Sequence, residues 1–400
     1  MTISTVFETY KSLHERPELS KQEVTTSQLI VEQLTDLGYD VTYPFGQYDV
    51  PDQTCYGVVG MMRNGTGPTL LVRADMDALP VLEETGLPWA SQNLGVMHAC
   101  GHDVHVATFL GAAKELAERK SEWHGTLMLI GQPAEEMVQG ARAMLSAGLY
   151  EQFGRPDFGV AFHDWAVLES GKVGYRTHEF MAATDSVNLI IRGVGGHGAT
   201  PQNTKDPIVL SAETISMLQT IVSREVPPLD PAVVTVGRID GGTKRNIIPD
   251  FVTLYLTTRT FKPEIRKLVL DSVQRIPKGL AIAAGAPEPI FEYIATESIS
   301  ATFNDPVLTE RLAASMGAEI GAENVVEIAQ ATVSEDFGLF GLNGEIPTCL
   351  LALGAADPAK LAAGTQPGLH SNFFAPFEPE LVLNTGVQAM TAGVLDLFKS

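Results

Sequence analysis

Four short apolar runs in this chain each end in residues that carry charge or bind metals, and that recurrence limits the folds open to it. Thr69–Ala74 runs into Asp75-Met76-Asp77, and Thr126–Gly131 runs into Gln132-Pro133-Ala134-Glu135-Glu136. Phe158–Phe162 runs into His163-Asp164, and Thr348–Leu353 runs into a glycine-rich loop that reaches His370. Short apolar strands alternating with helical patterns predict an α/β fold, with a mostly parallel sheet covered by helices on both faces. Open sheets of this kind bind ligands outside the carboxyl ends of their strands. Four polar strand ends therefore predict one shared site.

The 400 residues exceed what one core of ordinary size accommodates. Helical spacing links Val6, Tyr10 and Leu13, and then Val24, Leu29, Leu34 and Leu37, with Gly38 as a stop. A strand is expected at Gly57–Met62, and helices over Asp103–Arg119 (with Asp103 as N-cap), Gly140–Ala147, Val307–Ile320 and Pro379–Phe398. The pattern changes near Asp185. Ser186–Arg192 alternates as a half-buried strand does, followed by helix Asp206–Arg224, strands Ala232–Ile239 and Asp250–Thr260, helix Pro263–Arg275 and strand Ile290–Ala295. That β-α-β-β-α-β order is ferredoxin-like. It predicts an inserted α+β domain over 185–296, about 110 residues, within a discontinuous first domain formed by 1–184 and 297–400.

The net charge of −21 disfavours nucleic acid and anionic membrane as partners, because the field of the protein repels phosphates. An anionic small-molecule substrate would need local cations. Cys55, Cys100 and Cys349 are odd in number and scattered, so no disulfide framework is expected. The first twenty residues show no basic segment followed by an apolar run, and no apolar stretch approaches the roughly 20 residues of a membrane span. These features lead to the expectation of a cytoplasmic protein.

Met97-His98-Ala99-Cys100-Gly101-His102-Asp103-Val104-His105 concentrates three histidines, a cysteine and an aspartate just before a helix. A helix N-terminus favours the thiolate that binds metal. Thiolate, imidazole and carboxylate together suit zinc and also cobalt, nickel or manganese. Taken alone, Cys100 or His102 would read as structural; the cluster reads as a ligand set. His98 and His105 are left as bystanders or supporting residues. Adjacent residues on a strand face opposite sides, so Glu135 and Glu136 enter one site only where the strand has ended, and Pro133 supplies that ending. One carboxylate is then available as ligand and the other as general base. His163 and His370 gain weight from this company.

In these motifs the chain resembles the amidohydrolase branch of the two-metal zinc-type metallopeptidases. That branch includes hippurate hydrolases, N-acyl-amino-acid hydrolases, indole-acetyl-amino-acid hydrolases and N-acetyl-diaminopimelate deacetylases. The resemblance runs from His14-Glu15-Arg16-Pro17-Glu18-Leu19 through Arg73–Pro80, His98–Asp103, Gln132–Glu136 and Gly195-Gly196-His197-Gly198-Ala199 to Ser334-Glu335-Asp336-Phe337. It implies that Cys100, His102, Glu136, His163 and His370 hold two divalent metal ions per subunit, zinc or manganese, with cobalt or nickel as alternatives. It implies Glu135 as general base, His197 at the oxyanion, Asn246 on the substrate and Arg259 on the substrate carboxylate. It also makes the inserted domain a lid and the interface of a homodimer. Gln202, His163-Asp164-Trp165-Ala166 and His370-Ser371-Asn372-Phe373-Phe374 depart from the family pattern without removing a ligand, which bears on the substrate rather than the chemistry. The expected reaction is cleavage of an N-acyl-amino acid. A dipeptidase or exopeptidase on the same centre is the alternative. A non-catalytic binding protein would have lost a ligand or the base, and this chain keeps them.

Overall fold

The computed structural model describes residues 3–399, and the chain divides into two units. One comprises the residues up to Phe180, Phe303–Ala329 and those from Asp336 onward; the other comprises Met181–Thr302 and Gln330–Glu335. Along the chain come α1 (Ile3–His14), α2 (Val24–Asp36), β1 (Asp40–Phe45), β2 (Gly57–Asn64), β3 (Thr69–Asp75) and α3 (His102–Glu118). Next are β4 (Gly125–Gln132), α4 (Gly140–Ser146), α5 (Leu149–Phe153), β5 (Phe158–Glu169), β6 (Val173–Tyr175) and β7 (His178–Met181). Then follow β8 (Ala183–Arg192), β9 (Gly196–His197), α6 (Pro207–Thr220), β10 (Ala232–Gly241), β11 (Ile247–Ile248), β12 (Phe251–Thr260), α7 (Pro263–Ala284) and β13 (Ile290–Tyr293). The last elements are β14 (Thr302–Asn304), α8 (Pro306–Ile320), β15 (Val325–Glu327), β16 (Thr348–Ala356), α9 (Pro358–Ala363) and α10 (Pro379–Leu397).

The first unit is built on an eight-stranded sheet ordered β1-β2-β4-β3-β5-β16-β6-β15. Its centre, β4-β3-β5-β16, is parallel, and β1–β2, β2–β4 and β16–β6 are antiparallel margins. β16 buries all of its residues and β3 all but Thr69, as strands covered on both faces do. Helices α1, α2, α3, α8 and α10 bring Tyr10, Ile30, Leu34, Leu110, Leu312 and Val394 into one core with Leu70, Val72, Leu129 and Leu351. In the second unit the antiparallel sheet β10-β12-β8-β13 has the ferredoxin-like order. Val187, Leu189, Val252, Leu254 and Leu256 face Leu218 of α6 and Val269 and Val273 of α7.

Several boundaries differ from the periodicity. β5 does not stop at Phe162 but continues to Glu169, so His163 and Asp164 lie within a strand that stays paired to β16. Helix α7 passes Pro277 and ends at Ala284, because its buried stripe of Val269, Val273, Ile276 and Ala281 continues beyond the proline. Residues 330–335 carry no helical or strand period, yet they belong to the second unit. Asp103 is not the N-cap of α3. Gly101 holds that position with φ 84°, and Asp103 is inside the first turn.

Asp103 instead fastens α1 to α3. His14 Nδ1 lies 2.6 Å from Asp103 Oδ2, and His14 Nε2 lies 3.2 Å from Glu83 Oε1. Burial alone would lower the His14 imidazole, but Asp103 and Glu83 outweigh it and hold it up to about 10. A histidine raised in the folded state stabilises fully below its unfolded value of about 6.5, and that stabilisation is lost as pH rises through the folded value. The stability gap between wild type and His14→Gln, measured by denaturant unfolding, should be wide near pH ~6 and narrow steadily toward pH ~10. A gap independent of pH would show that His14 carries no charge in the fold.

Candidate metal centre and active site

The left-handed backbone at Gly101 turns the chain from Cys100 into α3, and a Cβ there would lie 2.5 Å from Asp164 Oδ2. Cys100 and His102 therefore enter the site from one tight turn. His163 arrives on β5, its Nε2 3.6 Å from Cys100 Sγ. Its other nitrogen, Nδ1, donates to the Asp164 carbonyl at 2.8 Å, which leaves Nε2 unprotonated and aimed at the thiol. His370 comes from the loop after β16, with Nε2 3.3 Å from Cys100 Sγ and 3.5 Å from Glu136 Oε1. His102 Nε2 lies 3.9 Å from both Glu135 Oε2 and Glu136 Oε1. Five of the residues expected as ligands thus converge, and Glu135 joins them.

The Glu135–Glu136 turn is built by other carboxylates. β4 ends at Gln132, and Ala134 adopts φ 51°. Asp77, just beyond β3, accepts the Glu135 N–H at 3.0 Å and the Glu136 N–H at 3.1 Å. Its Oδ1 is 3.4 Å from His102 Nδ1, so one carboxylate fixes both the glutamate turn and a ligand ring. The turn closes tightly: at Gly140 a Cβ would meet the Pro133 carbonyl at 1.6 Å.

His105 has both ring nitrogens engaged. Nδ1 is 2.5 Å from Asp75 Oδ1, and Nε2 accepts the Asp164 N–H at 2.7 Å. It clamps the peptide that follows His163, and with Asp75 and His102 it forms a further group of donor atoms. Asp75 in turn receives Arg73 Nη1 at 2.6 Å, while Arg73 Nε donates to Gln132 at 2.8 Å and Nη2 to Asp336 at 3.2 Å. Burial opposes the Asp75 carboxylate, but Arg73, His102 and His105 hold it well below the usual range. His98 is buried, with no hydrogen bond to either nitrogen among the described residues, and burial pushes it down to about 4. Sequence reasoning gave no role to Asp77, Arg73 or Asp164. The motif around Asp75 points to the strand end, but the pairings, across 30 residues from Asp75 to His105 and 58 from Asp77 to Glu135, carry no local signal.

The donor set fits a divalent metal ion. Both nitrogens of His102 and Oε1 of Glu136 are buried and, among the described residues, make contacts of 3.4 Å and beyond rather than close hydrogen bonds. Cys100, His102 and His163 form one metal-capable grouping, and Cys100, Glu136 and His370 form another. Burial, followed by Glu136, Glu135 and Asp75, pushes the Cys100 thiol well up, contrary to the helix-terminus expectation. Burial also pushes Glu136 up to about 7. For His102, burial acts downward, but Asp75, Asp77 and Glu136 push it up to about 10. The carboxylates thus gather protons wherever no metal cation neutralises them.

In the second unit, His197 on β9 pairs with Ile247 of β11, and Gly198 N–H donates to the Asn246 carbonyl at 2.8 Å, which brings His197 and Asn246 together. Arg259 lies on β12, where its Nη1 donates to Thr184, to Thr257 Oγ1 at 2.7 Å and to the Thr258 carbonyl at 3.1 Å.

The sequence pattern of Peptidase family M20/M25/M40 matches residues 71–392. The N-acetylcysteine deacetylase of Bacillus subtilis (strain 168) is 38% identical over 333 residues, covering 82% of this chain and 83% of that protein. The hippurate hydrolase of Campylobacter jejuni is 37% identical over 331 residues, with 82% of each covered. A solved Bacillus subtilis structure, described as a dinuclear metal-binding peptidase of the M20 family, superposes with a TM-score of 0.82 at 30% identity, over 99% of this chain and 98% of that one.

Metal ligands bind in their deprotonated forms, so metal uptake should release protons. Calorimetric titration with manganese(II) at pH ~7 in buffers of different ionisation enthalpy should give buffer-dependent heats. Heats identical across buffers would contradict the protonated state assigned to Cys100 and His102.

Proposed function

The chain belongs to peptidase family M20/M25/M40, and from that membership we propose that it is a metal-dependent amidohydrolase cleaving N-acyl-amino acids to a carboxylate and a free amino acid. The observation that carries this reading is the pair of glutamates on one turn. Both lie 3.9 Å from His102 Nε2, and of the two Glu136 also groups with Cys100 and His370. The relatives named N-acetylcysteine deacetylase and hippurate hydrolase support the substrate class.

Cys100, His102, Glu136, His163 and His370 would hold two divalent ions, zinc or manganese, with cobalt or nickel also suited to this mixed donor set. When bound, such ions supply Lewis-acid polarisation of the amide carbonyl and acidify the attacking water. Glu135 takes the proton of that water and returns it to the leaving nitrogen. His197 donates to the developing oxyanion, Asn246 orients the substrate, and the Arg259 guanidinium receives the substrate carboxylate. This cation offsets the repulsion that a net charge of −21 imposes on an anionic substrate.

The second unit is proposed as a lid and as the interface of a homodimer. Ile208, Val209 and Met217 of α6 are exposed, and β10 is an edge strand of its sheet. An edge strand with an exposed apolar helix beside it offers backbone and side-chain groups to a second copy. Among the described residues, no helix is long and apolar enough to cross a membrane. All three cysteines are free and buried, which supports a reducing compartment such as the cytoplasm.

Hydrolysis of an N-acyl-amino-acid panel tests the reading. Chelator should abolish turnover, and Glu135→Gln should lower kcat by about 100- to 10,000-fold, as loss of a general base does. Chelator-resistant turnover or near wild-type rates in Glu135→Gln would overturn the mechanism. Turnover of dipeptides with an inert acyl panel would put an exopeptidase in its place.

A further inference from the structure

Glu23 stands at the N-cap position of α2 but makes no capping bond to its own helix. Acidic side chains at that position ordinarily accept from the first free N–H groups of the helix. Glu23 turns away from that role. Its Oε1 accepts the Ala134 N–H at 2.8 Å, across 111 residues of sequence. The residue is fully buried, and among the described residues Oε2 has no close hydrogen bond of its own. An acidic side chain has thus been taken out of water and off its helix, and its close hydrogen bond is to the Ala134 N–H.

That N–H belongs to the residue on which the active-site turn pivots. Ala134 has φ 51°, a left-handed backbone that L-residues other than Asn and Asp rarely adopt. It is fully buried, so its N–H has no access to water if the protein partner is removed. The next two N–H groups, of Glu135 and Glu136, are taken by Asp77. Three successive donors of the turn are therefore held by two buried carboxylates, one just beyond β3 and one at the N-cap position of α2. Asp77 fixes the glutamates themselves; Glu23 fixes the strained residue that sets their direction.

We infer that Glu23 is a positioning residue that holds the left-handed Ala134 pivot and thereby aims Glu135 and Glu136 into the site. The inference rests on the reading of Glu135 as base and Glu136 as ligand. Burial and the neighbouring Asp77 push the Glu23 carboxyl up to about 8. Gln therefore approximates its neutral form, keeping an oxygen that accepts the Ala134 N–H. Asp keeps a carboxylate but is one methylene too short to reach it.

The test compares wild type, Glu23→Gln, Glu23→Ala and Glu23→Asp in the full chain. Three readouts are taken: manganese(II) affinity, the split of kcat against KM on an N-acyl-amino acid, and amide exchange of the 133–140 segment. Ala and Asp should lower kcat and metal affinity by about 10- to 100-fold, as loss of a residue supporting metal ligands does. KM should stay within about twofold, and exchange should rise within 133–140 alone. Gln should stay within about threefold of wild type in each readout. Adding Ala134→Gly to Glu23→Ala should restore part of the loss, because glycine adopts the left-handed conformation without the clamp. If Glu23→Ala does not fold, Glu23→Asp carries the same comparison. Wild-type behaviour in both variants, or equal damage in Glu23→Gln, would overturn the inference. A wild-type protein that binds manganese but cleaves no N-acyl-amino acid would instead overturn the proposed function. The affinity and exchange arms would then still decide the role of Glu23.

Discussion

The carboxylate of Asp77 is the joint on which the site depends. It leaves the end of β3, accepts the N–H groups of Glu135 and Glu136 beyond β4, and faces His102 Nδ1 at the start of α3. Ser20 donates to it at 2.6 Å from the segment before α2. Four stretches that are distant in sequence are thereby fixed to one buried group. A parallel sheet places such strand ends side by side, but it does not by itself orient the side chains beyond them. Hydrogen bonds from two adjacent backbone N–H groups to one carboxylate do.

The electrostatics of the buried cluster point the same way as its geometry. Asp75, Asp77, Glu135 and Asp164 are buried together with His102, His105 and His163, and Glu136 is largely buried beside them. Uncompensated buried charge of this kind is costly and is relieved by protons or by cations. Arg73 compensates Asp75 directly through a guanidinium that is itself 1% exposed. Around Glu136 Oε1 and the His102 nitrogens the contacts are longer: His102 Nδ1 lies 3.4 Å from Asp77 Oδ1, and His370 Nε2 lies 3.5 Å from Glu136 Oε1. The division separates a permanently neutralised base layer, Arg73–Asp75–His105, from an inner ring whose charge is left for a metal.

The polar strand ends were legible in sequence because strand termination by Pro133 and the density of His, Cys and Asp around residue 100 are local signals. The ferredoxin-like order of the second unit was legible for the same reason, through the alternation of Val252, Leu254 and Leu256. What lay beyond reach is long-range. Asp103 has the composition of an N-cap, but His14 claims its carboxylate from 89 residues away. His105 resembles its neighbour His102 in local sequence; the contacts of both its nitrogens with Asp75 and Asp164 set it apart. His163 looked like a residue after a strand, whereas pairing with β16 extends β5 past it to Glu169. In each case a tertiary partner decided between roles that the local sequence left equivalent.

The central claim is that one metal centre is assembled from Cys100, His102, Glu136, His163 and His370. Anomalous diffraction at the manganese edge, on crystals grown with manganese(II), tests it most directly. Two anomalous peaks about 3.5–4 Å apart, enclosed by those five side chains with Glu135 uncoordinated, are the expected result. A centre that leaves out Cys100 or His163, recruits His105, or is ligated through Glu135 would contradict it.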